Sequence, residues 1–286
     1  MLPDIAMNTK LQAPTRWQEI KVLLDFYPNR MKYAAIIKAQ YRLSAFLWLV
    51  GLAIEPIIYL VVWTTVAQER GGEIGGYTAG GFAAYYIVWT IVRVMGIGLN
   101  PWVFEWRVRQ GQWSPLILRP MHPIHDDFAL LLGDKVMDVL WLIPVVSLLI
   151  LAFKPDLHPT WWQGVAFVVA CLLGFIARTV WMWVLGLITF WTVRVAAIFD
   201  LYFAVELLLS GRVVPLDLLP DWARGLANWL PYQWTFGFPI EVMIGRLTPT
   251  ATLQGVGIQL IWIILGWIIM QWLWQRGVRR YSAVGA

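Results

Sequence analysis

Six stretches of this 286-residue chain are apolar over the length of a bilayer or nearly so, and they constrain its fold more than any other feature. A spanning helix needs ~20 mostly apolar residues to cross ~30 Å of hydrocarbon. The runs Leu43 to Ala67, Tyr77 to Leu99, Val136 to Phe153, Trp161 to Trp191, Val195 to Ser210 and Val256 to Trp274 meet or approach that length. The fourth would extend ~46 Å as one helix, so it must tilt or protrude. Arg178 interrupts it, but the halves on either side are too short to cross separately. The fifth is short, and Gly211 is expected to end it. The reading is an all-α polytopic membrane protein with six transmembrane helices. Composition agrees: apolar residues make up 59% and charged residues 14%, against ~45–50% and ~25% in soluble domains. The 20 tryptophans and 10 tyrosines suit a chain with two membrane–water interfaces.

The charges sit beside the spans rather than on one surface helix, so the net charge of +5 points to anionic lipid headgroups and not to nucleic acid. No early apolar run follows the basic residues of the first segment, which predicts no cleavable signal peptide and an amino terminus in the cytoplasm. On that orientation fifteen of the 22 Lys and Arg lie inside and five outside, the latter being Arg70, Lys154, Arg212, Arg224 and Arg246. Arg93 and Arg178 fall within spans. This asymmetry follows the positive-inside rule and places both termini in the cytoplasm.

Two segments between the runs have structure of their own. Near the amino terminus, Thr15 and Gln18 fit a capping box, and Trp17, Ile20, Leu23, Leu24 and Tyr27 recur at helical spacing. This predicts an amphipathic interface helix that Pro28 stops, with Asn29 capping the next helix. Between Gly211 and Thr252 come five prolines among Leu, Trp and Phe, unlike a solvated linker. Two short re-entrant helices are expected there, around Pro220 to Trp229 and Phe238 to Ile244, with their backbone sheltered by protein because lipid satisfies no hydrogen bond.

Several chemistries are excluded. None of the six lysines is followed by Ser or Thr, so no P-loop is present. The three histidines cannot form HExxH, and none of the five serines lies in GxSxG. Cys171, the one cysteine, falls inside an apolar run and belongs to no disulfide framework or CxxC site. Asp134 and Asp138 have a spacing that could hold a divalent cation on one helix face, but beside Lys135 they read more simply as an ion-paired helix start. Glu55, Arg93, Arg178 and Glu206 are ionisable residues within spans, which are costly unless paired and call for a functional hypothesis. Glu206 and Arg178 are expected to pair across adjacent spans.

The stretch "RQGQWSPLILRPMHP" resembles the first cytoplasmic loop of type-2 ABC exporter permeases. "SGRVVPLDLLPDWARGLANWLPYQWTFGFPIEVMIGRL" is similar to that family's hydrophobic external loop, and "RRYSAVGA" to its carboxyl-terminal end. The resemblance implies one transmembrane domain over residues 1–286: interface helices over 15–42, five spans over 43–210 with a coupling loop at 105–127, an external re-entrant loop at 211–252, a sixth span at 256–274 and a cytoplasmic tail at 275–286. It implies a non-catalytic exporter subunit in the bacterial inner membrane, driven by a separate ATP-binding cassette ATPase dimer that holds the ATP and magnesium. A second permease would pair with it, mostly through spans two and five. Carried onto this sequence, Gln112 to Leu118 form the coupling helix bounded by Gly111 and Pro120. Trp113, Leu116, Ile117 and Leu118 are the face offered to the ATPase, with Ser114 and Pro115 between them and Arg107, Arg109 and Arg119 at the rim. Tyr85, Tyr86, Trp89, Phe199, Tyr202 and Phe203 are expected to face the partner permease or line a path for a hydrophobic or amphipathic cargo. The rivals are a metal-dependent lipid or isoprenoid enzyme using Asp126, Asp127, Asp134 and Asp138, and a secondary transporter, which would need an internal repeat that the sequence lacks.

Overall fold

The computed structural model describes residues 16–281 apart from 101 and 193. Its helices are α1 (Arg16–Gln40), α2 (Arg42–Glu69), α3 (Ala79–Gly96), α4 (Trp102–Arg109), α5 (Trp113–Ile117), α6 (Ile124–Phe153), α7 (Trp161–Leu187), α8 (Ala196–Leu209), α9 (Asp221–Asn228), α10 (Pro231–Thr235), α11 (Gly237–Met243) and α12 (Pro249–Arg280). A two-residue antiparallel ribbon, β1 (Glu73–Ile74) with β2 (Tyr77–Thr78), links α2 to α3.

Among the described residues four helices are long and apolar enough to cross a membrane: α3, α6, α12, and α7 with the short 3-10 turn that extends it to Phe190. The fifth run yields only 14 helical residues, ~21 Å of a ~30 Å core. Gly211 ends it as expected: at φ +84° it takes a left-handed conformation that a side chain would strain. The chain therefore leaves helical geometry in the middle of the bundle.

The amino-terminal segment departs from its expectation. Thr15 lies outside the described residues, as do residues 282–286 of the tail. Pro28 does not stop α1, which runs through it to Gln40. Proline removes one backbone donor, which leaves Leu24 O without its intrahelical partner; the Asn29 side chain donates to Asp25 O at 2.8 Å within the continuous helix instead of capping a new one. Tertiary packing holds the continuous rod: at Gly133 of α6, any Cβ would collide with Met31 O. Much of the apolar face, including Ile20, Leu24 and Ile36, stays exposed.

Two aromatic cores divide the molecule. One surrounds α3, which is buried without interruption from Phe82 to Thr90 among α2, α7 and α11. A helix apolar all round belongs in an interior, and α3 has one. The other collects Phe104, Trp113, Trp183, Phe190, Phe199 and Met270 from α4, α5, α7, α8 and α12. The outward faces of α6 and α12, with Leu140, Ile143, Leu151, Ile261, Ile264 and Ile268 exposed, are the kind of surface that lipid covers.

Between α8 and α12 the two predicted helices form as α9 and α11, and α10 intervenes. α11 is buried at Gly237, Phe238, Pro239, Ile240 and Val242, so its backbone is sheltered by protein.

Candidate functional site

The coupling segment is built on a glycine turn. After α4, Gly111 sits at φ +63°, the Gln112 N–H donates to Arg107 O at 2.8 Å and the Gly111 N–H to Val108 O at 3.3 Å. This paired arrangement closes a helix end when glycine follows it. The chain then turns directly into α5.

Trp113, the first residue of α5, points inward. It is fully buried, with ring centroids 5.3 Å from Phe190, 5.5 Å from Trp274 and 5.8 Å from Trp183. Leu116 is buried with it and Ile117 packs on the same core. The expectation that this face is offered to another subunit is therefore corrected for Trp113 and Leu116. A large aromatic beside four others from the same chain gains more from that core than from water. The outward side consists of Pro115, Leu118, Arg119 and Pro120, with Leu118 85% exposed, and is extended by Arg109, Trp102 and Trp106. Gly111, Gln112 and Ser114 are half-buried between the two sides.

Ion pairs fasten the segment to its neighbours. Arg107 grips Asp127 with two hydrogen bonds of 2.8 and 2.5 Å, a bidentate geometry that fixes orientation as well as distance. Asp126 accepts from Arg30 of α1 at 2.9 Å and from Arg119 at 3.2 Å. Glu105 Oε1 accepts from the backbone N–H groups of Val195 and Ala196, at 2.7 and 3.0 Å, and so caps the start of α8. Ser114 Oγ meets Tyr281 OH at 3.4 Å beyond the end of α12. Contacts of α5 and the residues after it thus reach α6, α7 and α12, and Asp126 and Glu105 relay them to α1 and α8. His122 lies in this tryptophan-rich surround, 4.7 Å from the Trp274 ring, and burial pushes its imidazole down to about 4.

The same pairs bear on the metal-enzyme rival. Asp126 and Asp127 are engaged by arginines, and Asp138 by Lys38 at 2.6 Å and Lys135 at 3.6 Å. Among the described residues no group of three or more His, Cys, Asp or Glu side chains comes together that could hold a metal.

The aromatics expected to face a second permease mostly turn inward. Tyr85, Tyr86 and Trp89 are fully buried, Phe199 and Tyr202 nearly so, and Phe203 is half-buried. The reason is the non-helical stretch after α8. Its carbonyls pass through an apolar interior, where an unsatisfied polar group is costly. Tyr85 OH donates to Gly211 O at 2.6 Å, Trp89 Nε1 to Arg212 O at 3.0 Å, Tyr86 OH to Val213 O at 2.8 Å and Trp63 Nε1 to the same oxygen at 3.2 Å. Tyr202 instead packs on Tyr232 with centroids 4.9 Å apart.

The charges within the bundle form two groups. Arg178 Nη2 donates to Glu206 Oε2 at 3.0 Å and Nη1 lies 2.8 Å from Oε1, so α7 and α8 are joined as expected. Glu55 lies 2.7 Å from Arg93 and 3.0 Å from Arg212. Arg212 is a correction: counted with the outer loops, it shares Glu55, in the middle of α2, with Arg93 from the last turn of α3. The 16-residue run that ends in the serine of "SGR" was the available signal, since a helix too short to cross leaves its next residues in mid-bundle. Nothing in the sequence marked Glu105 as the cap of α8.

A family model described as ABC-2 family transporter protein matches residues 53–285. No curated protein matches the chain.

Proposed function

The chain belongs to the ABC-2 family of transporter proteins, and from that premise we propose that it is the permease of an exporter driven by a separate ATPase that binds ATP and magnesium. It is a multi-pass membrane protein and a permease of an ABC transporter. In the proposed arrangement α2, α3, α6, α7, α8 and α12 are the six spans, with both termini and α5 on the cytoplasmic side. The observation that carries the reading is the division of labour within the coupling segment. Trp113 anchors it in the chain's own core, while Leu118, Arg119 and Pro120 stand out at a point fastened to five other helices. A short helix seated in a partner's groove is a familiar mode of recognition. α1 supplies a second contact surface, tied to α6 by Arg30–Asp126 and Lys38–Asp138.

A second permease, whether the same chain or a homologue, would pack on the exposed flank of α8, where Leu201 and Leu208 are uncovered, and not on the buried aromatics of α3. Cargo would be hydrophobic or amphipathic, since apolar walls with few polar groups suit such ligands. The test is gentle solubilisation of the tagged chain from its native membrane. Recovery of an ATP-binding cassette ATPase in stoichiometric amount is the expected outcome, and its absence would reject the proposal.

A further inference from the structure

We propose that Glu55, Arg93 and Arg212 form a subsite for a single anionic group, a phosphate or a carboxylate, carried on an amphipathic ligand. That the ligand is transported cargo rests on the permease reading; that the site binds an anion does not. Two guanidinium groups share one carboxylate, at 2.7 and 3.0 Å, which leaves the cluster one positive charge in excess. Arg178 and Glu206, by contrast, balance each other, and Glu206 is buried.

The cluster is also open. The side chains of Arg93, Glu55 and Arg212 are 26%, 27% and 24% exposed. Charge exposed on the side of the bundle cannot face lipid tails without cost, so it faces water, a ligand or protein. Arg212 Nε, enclosed among protein atoms, has no acceptor among the described residues. One turn from Glu55 on the same face of α2, Gly51 has nothing among the described residues within 4 Å of where a Cβ would stand. The chain leaves space there. Trp48 and Tyr59 flank it on the same face, half-buried, and Ile54 and Ile58 are exposed nearby, which gives an alkyl chain apolar surface beside the charge. Trp89 lies 5.3 Å from the Arg93 guanidinium and 5.9 Å from that of Arg212, holding both in place. A second copy of this chain would bring an identical positive cluster, which is a poor complement to this one.

The experiment uses the full chain with whatever subunits co-purify, in an uncharged maltoside detergent, and measures binding of dodecyl phosphate by native mass spectrometry and calorimetry. One bound molecule is expected, displaced by laurate and by neither dodecyltrimethylammonium nor inorganic phosphate. Arg93→Gln and Arg212→Gln are each expected to weaken binding at least about tenfold, Arg93→Lys and Arg212→Lys by less, while Glu55→Gln, which removes the carboxylate that competes with the ligand for both guanidiniums, is expected to tighten it. Wild-type affinity in both glutamine variants would overturn the proposal, as would loss of binding in Glu55→Gln with the fold intact. Displacement by inorganic phosphate as effective as by laurate would overturn the amphipathic assignment. A shift from dimer to monomer in Arg93→Gln, with dodecyl phosphate binding unchanged, would make the cluster a protein interface instead. Failure to recover an ATPase would reject the permease proposal and leave the binding result standing.

Discussion

Two groups of charge sit in the middle of this bundle, and they are built to opposite specifications. Arg178 and Glu206 match one cation to one anion, with 14% and 1% of their side chains exposed, and link α7 to α8. Glu55, Arg93 and Arg212 join α2, α3 and the loop after α8 with one cation too many, each about a quarter exposed. Closed, balanced contacts fix how helices sit. Open, unbalanced ones remain available to something outside the chain. The coupling segment repeats the contrast within a few residues, Trp113 closed into a core and Leu118 open.

The largest expected effect lies in the closed pair. Arg178→Ala leaves Glu206 buried without its cation and should cost about 3–5 kcal/mol, read as a loss of thermal stability in detergent. Replacing both partners, as Arg178→Met with Glu206→Met, should restore most of it, because no charge is then stranded. If the single variant melts like the parent, the closed pair is not structural and the contrast fails.

Charging a closed region by pH should come next. Burial holds the His122 imidazole at about 4 against an ordinary 6.5. Below pH 6.5 the unfolded chain takes up a proton that the folded chain refuses. Stability should therefore fall as pH drops from about 6.5 to about 4, by up to about 3 kcal/mol, and level off below that. His122→Asn should flatten this part of the profile, and an unchanged profile in that variant would remove His122 as its source.

The open cluster should be forgiving in stability. In Arg93→Gln, Arg212 remains 3.0 Å from Glu55, and the solvent-screened loss should be about 1 kcal/mol or less. A cost equal to that of Arg178→Ala would show the cluster to be another closed contact.

How much of this was legible follows the same division. The apolar runs, the stop at Gly211, the helices α9 and α11 and the Arg178–Glu206 pair could be read, because each depends on local pattern or on the cost of a lone charge in an apolar span. Pro28 inside α1, Trp113 turned inward and Arg212 at mid-bundle could not. Each is decided by residues distant in sequence: Gly133 against Met31, Phe190 and Trp274 around Trp113, and Glu55 beside Arg212. Of the site residues, the segment from Gly111 to Pro120 was visible as a motif, while which of its faces is free required the rest of the fold.

That free face is where a motor subunit would engage the chain. The direct measurement is ATP hydrolysis by the assembly purified through this chain, with Leu118→Asp and Arg119→Glu introduced together. Leu118 is 85% exposed; Arg119→Glu gives up the 3.2 Å pair with Asp126, which keeps Arg30 at 2.9 Å, so stability should fall only by the ~1 kcal/mol that a partly exposed ion pair contributes. The predicted result is loss of the co-purified ATP hydrolysis at unchanged fold. Full ATP hydrolysis in the double variant would contradict it.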